Sequence, residues 1–271
     1  MSTAPAANLA QDTIFVSAPP NSLFALDAAT GAVMASNLLP STDAGTESPS
    51  PTVTPNGEVL IGTTDGWLWS LTSNLVAVWS NNLLTLSGAS GGSGVAVTGA
   101  AAVTAGGKVY VGVDECCGID EQGTGFFSFD TSSNENWFFQ PWNNPDGRGH
   151  GDVNGSAAVD SRGIIYYLSE DSRFYEMSPS GHVKAFLPTE GVSEPSSSPA
   201  ITADGAIVVG SGNPYVFCFY PDGLSLRWVC HIPSDDDVDA AVMTQPVIDN
   251  AGTVYVGLAF PNAFGLVQCQ P

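Results

Sequence analysis

One short unit, repeated, limits what this chain can fold into. Its clearest copy is residues 51–79, PTVTPNGEVLIGTTDGWLWSLTSNLVAVW, where apolar runs at 52–54, 59–61, 68–71 and 76–79 alternate with turn residues. The turns are Pro55-Asn56-Gly57, Asp65-Gly66 and Thr72-Ser73-Asn74. Short runs of β-branched and aromatic residues bounded by Asn, Asp, Gly and Pro predict antiparallel strands joined by tight turns.

The first strand and its turn recur at 101–103 with Gly107, 157–159 with Gly163, 199–201 with Gly205 and 246–248 with Gly252. The aligned residues Val53, Val103, Val159, Ile201 and Ile248 lie 50, 56, 42 and 47 positions apart. Second strands follow at 59–61, 109–111, 165–167, 207–209 and 254–256, and third strands at 68–71, 126–129, 174–177, 216–219 and 266–269. Fourth strands end in an aromatic residue at Trp79, Trp137, Phe186 and Trp228. An earlier copy has its second strand at 14–16, its third at 23–26, its fourth at 32–35 and a weakly marked first strand at 7–9.

Six copies of four short strands, with no helical periodicity between them, predict an all-β fold, a single β-propeller. The blades fall at about 5–38, 49–80, 99–139, 155–187, 197–230 and 244–271, the last incomplete. A sheet this small cannot bury both faces alone, so neighbouring sheets must pack face to face. A β-sandwich has no reason to repeat one motif.

Residues 25–35, ALDAATGAVMA, resemble the A-x-D-x-x-T-G-x-x-x-W repeat of quinoprotein (PQQ-like) propellers, with Ala35 at the tryptophan position. Trp79, Trp137 and Trp228 occupy that position in degenerate copies, and Phe186 is expected to stand in for it in the fourth. The resemblance implies the fold over nearly the whole chain. For function it leaves dehydrogenases and non-catalytic scaffolds both open.

Charge narrows the partners. The net charge is −21, with only Lys108, Arg148, Arg162, Arg173, Lys184 and Arg227 to set against 27 carboxylates. Phosphate backbones and anionic lipids are held by clustered Lys and Arg, so six scattered cations argue against DNA, RNA or anionic lipid as partners. No apolar run reaches the roughly 20 residues that span a bilayer. PQQ carries three carboxylates, and a partly buried site for it needs several paired cations, which argues against this cofactor. Residues 1–12 have neither a basic start nor an apolar core, so they do not read as a signal peptide. Few charges, few lysines and several cysteines favour a secreted or periplasmic mature domain over a cytoplasmic one.

The five cysteines are Cys116, Cys117, Cys218, Cys230 and Cys269, with no paired C-x-x-C spacing for zinc. Cys269 occupies a third-strand position filled elsewhere by Leu, Phe or Met and reads as a small core residue. Cys218 and Cys230 could bridge, but the hairpin register suggested by Asp222-Gly223 does not put them opposite each other. Cys116-Cys117 either closes a strained vicinal disulfide or places one thiol inside and one outside. Quinoprotein alcohol dehydrogenases carry such a pair beside the cofactor, but the residues that follow here, GIDEQG at 118–123, contain no arginine.

Loops leaving the second strand, and those crossing to the next first strand, share one face of a propeller. Here they span 43–49, 81–99, 114–125, 141–154, 189–197 and 234–240, and carry most of the acid, including Asp114, Glu115, Glu190 and Glu194. Asp235, Asp236, Asp237 and Asp239 form either a Ca²⁺ ligand set or a solvated acidic loop. Trp142, Asp146, Arg148, His150, Asp152 and Asn154 form either a polar ligand pocket with a flat stacking surface or a long solvent loop. No G-x-S-x-G, H-E-x-x-H or phosphate-cradling loop occurs. The expectation is a non-catalytic propeller offering an acidic loop face to a protein partner or a small neutral or cationic ligand. The alternative is a propeller enzyme, either a quinoprotein-like dehydrogenase with Ca²⁺ or a carbohydrate-active hydrolase or lyase.

Overall fold

The short apolar runs become strands because the residues between them close tight turns. The computed structural model describes residues 4–40, 49–87, 95–115, 124–140, 151–171, 173–188, 197–212, 214–232, 241–242, 244–260 and 263–269. Backbone packing divides the chain into two units, Met1–Asn143 with Gly151–Asn154, and Asn144–His150 with Gly155–Pro271. The first unit holds three antiparallel sheets. Sheet one is β1 (Ala6–Ala7), β2 (Thr13–Ala18), β3 (Ser22–Asp27) and β4 (Val33–Leu38). Sheet two is β5 (Thr52–Val53), β6 (Val59–Gly62), β7 (Trp67–Leu71) and β8 (Ala77–Asn82), followed by one helical turn, α1 (Leu83–Leu86). Sheet three combines β9 (Val95–Ala96), β10 (Ala102–Val103), β11 (Lys108–Glu115), β12 (Gly125–Asp130) and β13 (Glu135–Phe139).

The second unit repeats the plan. Sheet four is β14 (Ala158–Val159), β15 (Ile165–Ser169), β16 (Arg173–Met177) and β17 (Val183–Pro188). Sheet five is β18 (Ala200–Ile201), β19 (Ile207–Gly210), β20 (Tyr215–Phe219) and β21 (Leu226–His231). Sheet six is β22 (Ala241–Val242), β23 (Val247–Ile248), β24 (Val254–Phe260) and β25 (Ala263–Cys269).

One turn chemistry starts every sheet. In sheet two the Gly57 N–H donates to Thr54 O, the Thr54 N–H to Glu58 O, and the Thr54 hydroxyl accepts from the Glu58 N–H. Thr104, Asp160, Thr202 and Asp249 do the same ahead of Gly107, Gly163, Gly205 and Gly252. The five glycines have φ between 78° and 87°, the left-handed region that a hairpin of this type requires. In sheet one Asn8 takes the capping role and Gln11, at φ 58°, takes the glycine's place. A non-glycine residue in that position is why the first strand there is weakly marked in the sequence.

In sheets two to five the second strands are buried on both faces, and their alternation sorts the core. Val59 and Ile61 pack with Phe15 and Leu23 of the preceding sheet, whereas Leu60 packs with Val109, Val111 and Phe129 of the following one. Ile207 and Val209 likewise face Tyr166 and Phe174, and Val208 faces Val254 and Val256. Period-2 alternation thus builds each inter-sheet core from facing strands.

Fourth strands clip onto the next sheet's turn. The Trp79 Nε1–H donates to Thr131 O at 3.0 Å, and the Asn81 amide to Ser133 O at 3.1 Å. Asn37 reaches Leu75 O at 2.7 Å in the same way. Second strands end at a glycine where the chain crossing to the next sheet presses close. A Cβ on Gly62 would lie 2.4 Å from the Val97 Cγ1, one on Gly112 2.5 Å from the Val153 Cγ1, and one on Gly210 2.3 Å from the Val242 Cγ1. Val97, Val153 and Val242 donate their N–H to Thr63 O, Val113 O and Ser211 O at 3.0, 3.2 and 2.9 Å.

The structure corrects several local expectations. β11 runs to Glu115 because β9 pairs with Asp114 and Glu115, so these acids lie in a strand and not in a loop. β22 pairs with Leu258 and Ala259 in the same manner, extending β24 beyond its expected length. The tryptophan position of sheet four is Ala185 and not Phe186. Ala185 pairs with Glu176, as Trp79 pairs with Ser70, Trp137 with Ser128 and Trp228 with Cys218. The Glu176 side chain is fully buried; its carboxylate accepts from the Lys184 ammonium at 2.9 Å and from the Gly223 N–H at 2.7 Å. It fills the room an indole would need. Where Trp79 donates to the neighbouring turn, Glu176 accepts from it.

Candidate functional site

The expected site residues divide by where they fall. Trp142, Asp146, Arg148 and His150 lie outside the described residues, as do Asp235, Asp236, Asp237 and Asp239 and the pair Cys116 and Cys117. Asp152 and Asn154 are described. They flank Val153, which presses on Gly112, and Asp152 is 4% exposed, while the Asn154 carbonyl accepts from the Thr98 hydroxyl at 3.3 Å. This stretch is packed onto sheet three and not extended into solvent. Among the described residues no three His, Cys, Asp or Glu side chains converge as metal ligands.

A different cluster, in the second unit, has the chemistry of a recognition site. β15 and β16 pair as far as Ser169 and Arg173, so the hairpin tip between them is short. Tips of this kind normally carry their polar groups into water, yet Asp171 is 3% exposed. The Tyr175 hydroxyl donates to Asp171 Oδ2, and the Arg173 guanidinium lies 3.4 Å from the same oxygen. The Asp171 N–H donates to the Ser169 hydroxyl at 3.4 Å. Asp171 Oδ1 is buried and accepts no hydrogen bond among the described residues. An unpaired buried carboxylate oxygen costs free energy that a ligand hydroxyl or ammonium would recover.

Aromatic rings wall this carboxylate. Tyr167 and Tyr175 stack with centroids 5.1 Å apart and planes 12° apart. Arg173 covers the ring of Phe186 at 4.8 Å, a cation–π contact that holds the guanidinium flat. Burial raises the Asp171 carboxyl above the usual carboxylate range, against the pull of Tyr175 and Arg173. Burial, and then the Asp171 charge, push the Tyr175 phenol well above 10, and burial does the same to Tyr167. Neither phenol gives up its proton near neutral pH. The arrangement suits hydrogen bonding and stacking better than proton transfer.

The first unit carries polar atoms at the equivalent hairpin of sheet two. Trp69, the register counterpart of Tyr175, has its Nε1–H buried without a hydrogen-bond partner among the described residues, and the same holds for the hydroxyl of Thr64. Trp67 and Trp69 sit 6.0 Å apart, tilted by 33°. The expected acidic loops did not point to either hairpin. The signal available was Tyr167, where other copies place Val or Ile on the second strand, together with Asp171 and Arg173 two residues apart.

Six four-stranded antiparallel repeats, packed face to face within each unit, define an all-β propeller. Comparison with known proteins makes this specific. No family profile and no curated protein matches the chain. Among solved structures it is similar to BamB from Moraxella catarrhalis, at 15% identity over 99% of this chain and 76% of that one, TM-score 0.66. It is also similar to the quinohemoprotein alcohol dehydrogenase from Comamonas testosteroni, at 16% identity, over 93% of this chain but only 51% of the enzyme, TM-score 0.68. A protein of unknown function from Bacteroides caccae matches over 89% of this chain and 81% of its own, at 13% identity and TM-score 0.58. The chain has the PQQ-like β-propeller fold. Identities this low establish the fold alone.

Proposed function

We propose that this propeller is a non-catalytic binding protein whose strand-two-to-strand-three hairpins, with the acidic loops beside them, receive a protein partner or a small neutral or cationic ligand. The observation that carries this reading is how the cations are used. Five of the six are described. Arg162 is bound to Asp160 and Asp222, Arg173 to Asp171, Lys184 to Glu176, Arg227 to Asp204 and Lys108 to Asn136. A polyanionic guest would have to strip these from the chain's own partners, against a net charge of −21. Hydroxyl and ammonium donors meet the opposite situation, because carboxylate oxygens are in excess and Asp171 offers a buried one.

A second reading, a quinoprotein-like dehydrogenase with Ca²⁺, has one observation in its favour, the fold likeness to the quinohemoprotein alcohol dehydrogenase. The scarcity of free cations weighs against PQQ. We place the protein in the periplasm or outside the cell on composition, a reading that subcellular fractionation tests.

Calorimetric titration with neutral polyols, simple amines and, separately, PQQ with Ca²⁺ distinguishes the readings. Binding confined to the neutral and cationic compounds, and weakened by Asp171→Ala, supports the proposal. Stoichiometric PQQ uptake with dye-linked alcohol oxidation would overturn it.

A further inference from the structure

The second unit contains a thiol pair that its sequence spacing conceals. Cys230 is on β21, the fourth strand of sheet five, and Cys269 is on β25, the third strand of sheet six. Both belong to one apolar cluster with Trp228, Val216, Val242 and Val254. Their thiols are hydrogen-bonded to each other. Cys218 shares the cluster but lies across from Trp228, while Cys230 lies across from Val216, so these two are diagonal and not opposed. We propose that Cys230 and Cys269 form a disulfide that ties sheet six to sheet five.

The exposure of the two thiols sets the order of steps. Cys230 is half-buried and Cys269 is 1% exposed. The Cys230 thiolate attacks a small-molecule disulfide, releasing one small thiol and forming a mixed disulfide. The Cys269 thiolate then displaces the second small thiol and closes the protein bond. One external disulfide is reduced to two thiols as two protein thiols are oxidised, and the two protein protons end, by way of solvent, on the two small thiols released. Burial, with Cys230 beside it, pushes the Cys269 thiol up to about 12. The second step is therefore the slow one at neutral pH. Burial, with a smaller push from the Asp204 charge and against the pull of Arg227, raises the Cys218 thiol to about 11, which withholds it from competing.

The bond has a structural use. Sheet six meets sheet five through the shared apolar cluster and a few hydrogen bonds, such as the Val242 N–H to Ser211 O and the Gln245 amide to Pro199 O, with no covalent link between them other than the chain itself among the described residues. A covalent tie closing a loop of about 40 residues restricts the unfolded chain and is expected to raise the melting temperature by about 10 °C.

The test uses the full chain with Cys116→Ser and Cys117→Ser, incubated with oxidised glutathione and then blocked with an alkylating agent. Peptide mapping by mass spectrometry is expected to find the 230–269 linkage, a mass loss of two hydrogens, and a melting temperature that falls again with dithiothreitol. Cys230→Ser or Cys269→Ser is expected to remove both the linkage and the shift, and Cys218→Ser to leave them intact. A folded protein in which 230 and 269 remain alkylatable after oxidation overturns the proposal, as does a linkage of Cys230 to Cys218. Circular dichroism of each variant separates lost linkage from lost fold.

Discussion

Replacing Glu176 by alanine should destabilise the second unit more than any other single change to its polar network. The carboxylate is fully buried and accepts from the Gly223 N–H at 2.7 Å. Losing a charged hydrogen bond to buried backbone costs about 1.5–3 kcal/mol. The pair with Lys184 adds little, because that side chain is 37% exposed and its attraction is screened; about 0.5 kcal/mol is appropriate. Two buried methylenes add about 1.6 kcal/mol. Removing a desolvated carboxylate gives back about 1–2 kcal/mol. The net loss is about 2–4 kcal/mol, or about 5–15 °C in midpoint for a chain of this length. Glu176→Gln keeps the length and an acceptor for Gly223, so it should cost under about 1 kcal/mol. Urea and thermal unfolding of both variants decide the matter. If alanine lies within about 0.5 kcal/mol of the parent, or glutamine is as damaging as alanine, acceptance from Gly223 is not what fixes this residue. The swap Glu176→Ser with Ala185→Trp rebuilds the Ser70–Trp79 pairing seen in sheet two, and should recover stability that neither single change retains.

Three further changes probe the recurring contacts. Gly210→Ala puts a Cβ 2.3 Å from the Val242 Cγ1 and 3.0 Å from the Ser197 hydroxyl, and should cost about 2–3 kcal/mol; Val242→Ala in the same chain should recover part of it in a double-mutant cycle. Trp79→Phe removes the donor to Thr131 O and should lower stability by about 1 kcal/mol in urea unfolding, with far-UV circular dichroism unchanged. Asp171 has its carboxyl raised by burial, so its contribution is fully present below the unfolded value near 3.9 and is lost as pH rises through the folded one. Asp171→Asn should therefore melt higher than the parent at pH 7, with the gap closing towards pH 4, and should weaken binding of a hydroxyl or ammonium ligand.

The strands and their order were legible because one turn recurs. Gly57, Gly107, Gly163, Gly205 and Gly252 mark five of six first hairpins, and all five adopt the left-handed conformation the pattern implied. Legibility failed where a different residue did the same physical work. Gln11 hides the turn of sheet one, and Glu176 hides the fourth-strand position of sheet four. Phe186 drew attention by its ring, but it is 48% exposed and lies across from Tyr175, one residue out of register. A one-residue slip turns a side chain to the opposite face of a sheet. Aromatic identity alone cannot reveal such a slip. β9 and β22, two residues each, carry too little pattern to be read as strands.

The candidate site was less legible, for a physical reason. Density of acid in the sequence marks loops that water can reach, and a carboxylate there costs nothing to keep charged. A binding carboxylate differs in being dry and incompletely paired, and that depends on the residues packed over it. Asp171 is one acid among 27, indistinguishable in sequence from Asp204, which is 58% exposed and held down to about 2 by the Thr202 hydroxyl and Arg227. The same chemical group moves in opposite directions because one is enclosed by Tyr175 and the other is solvated. Retaining a buried, half-satisfied carboxylate at a hairpin tip opposes stability, and such positions concentrate where a ligand completes the bonding. On that reasoning the gain in stability from Asp171→Asn and the loss of binding belong to one cause, and finding either without the other would separate this residue from function.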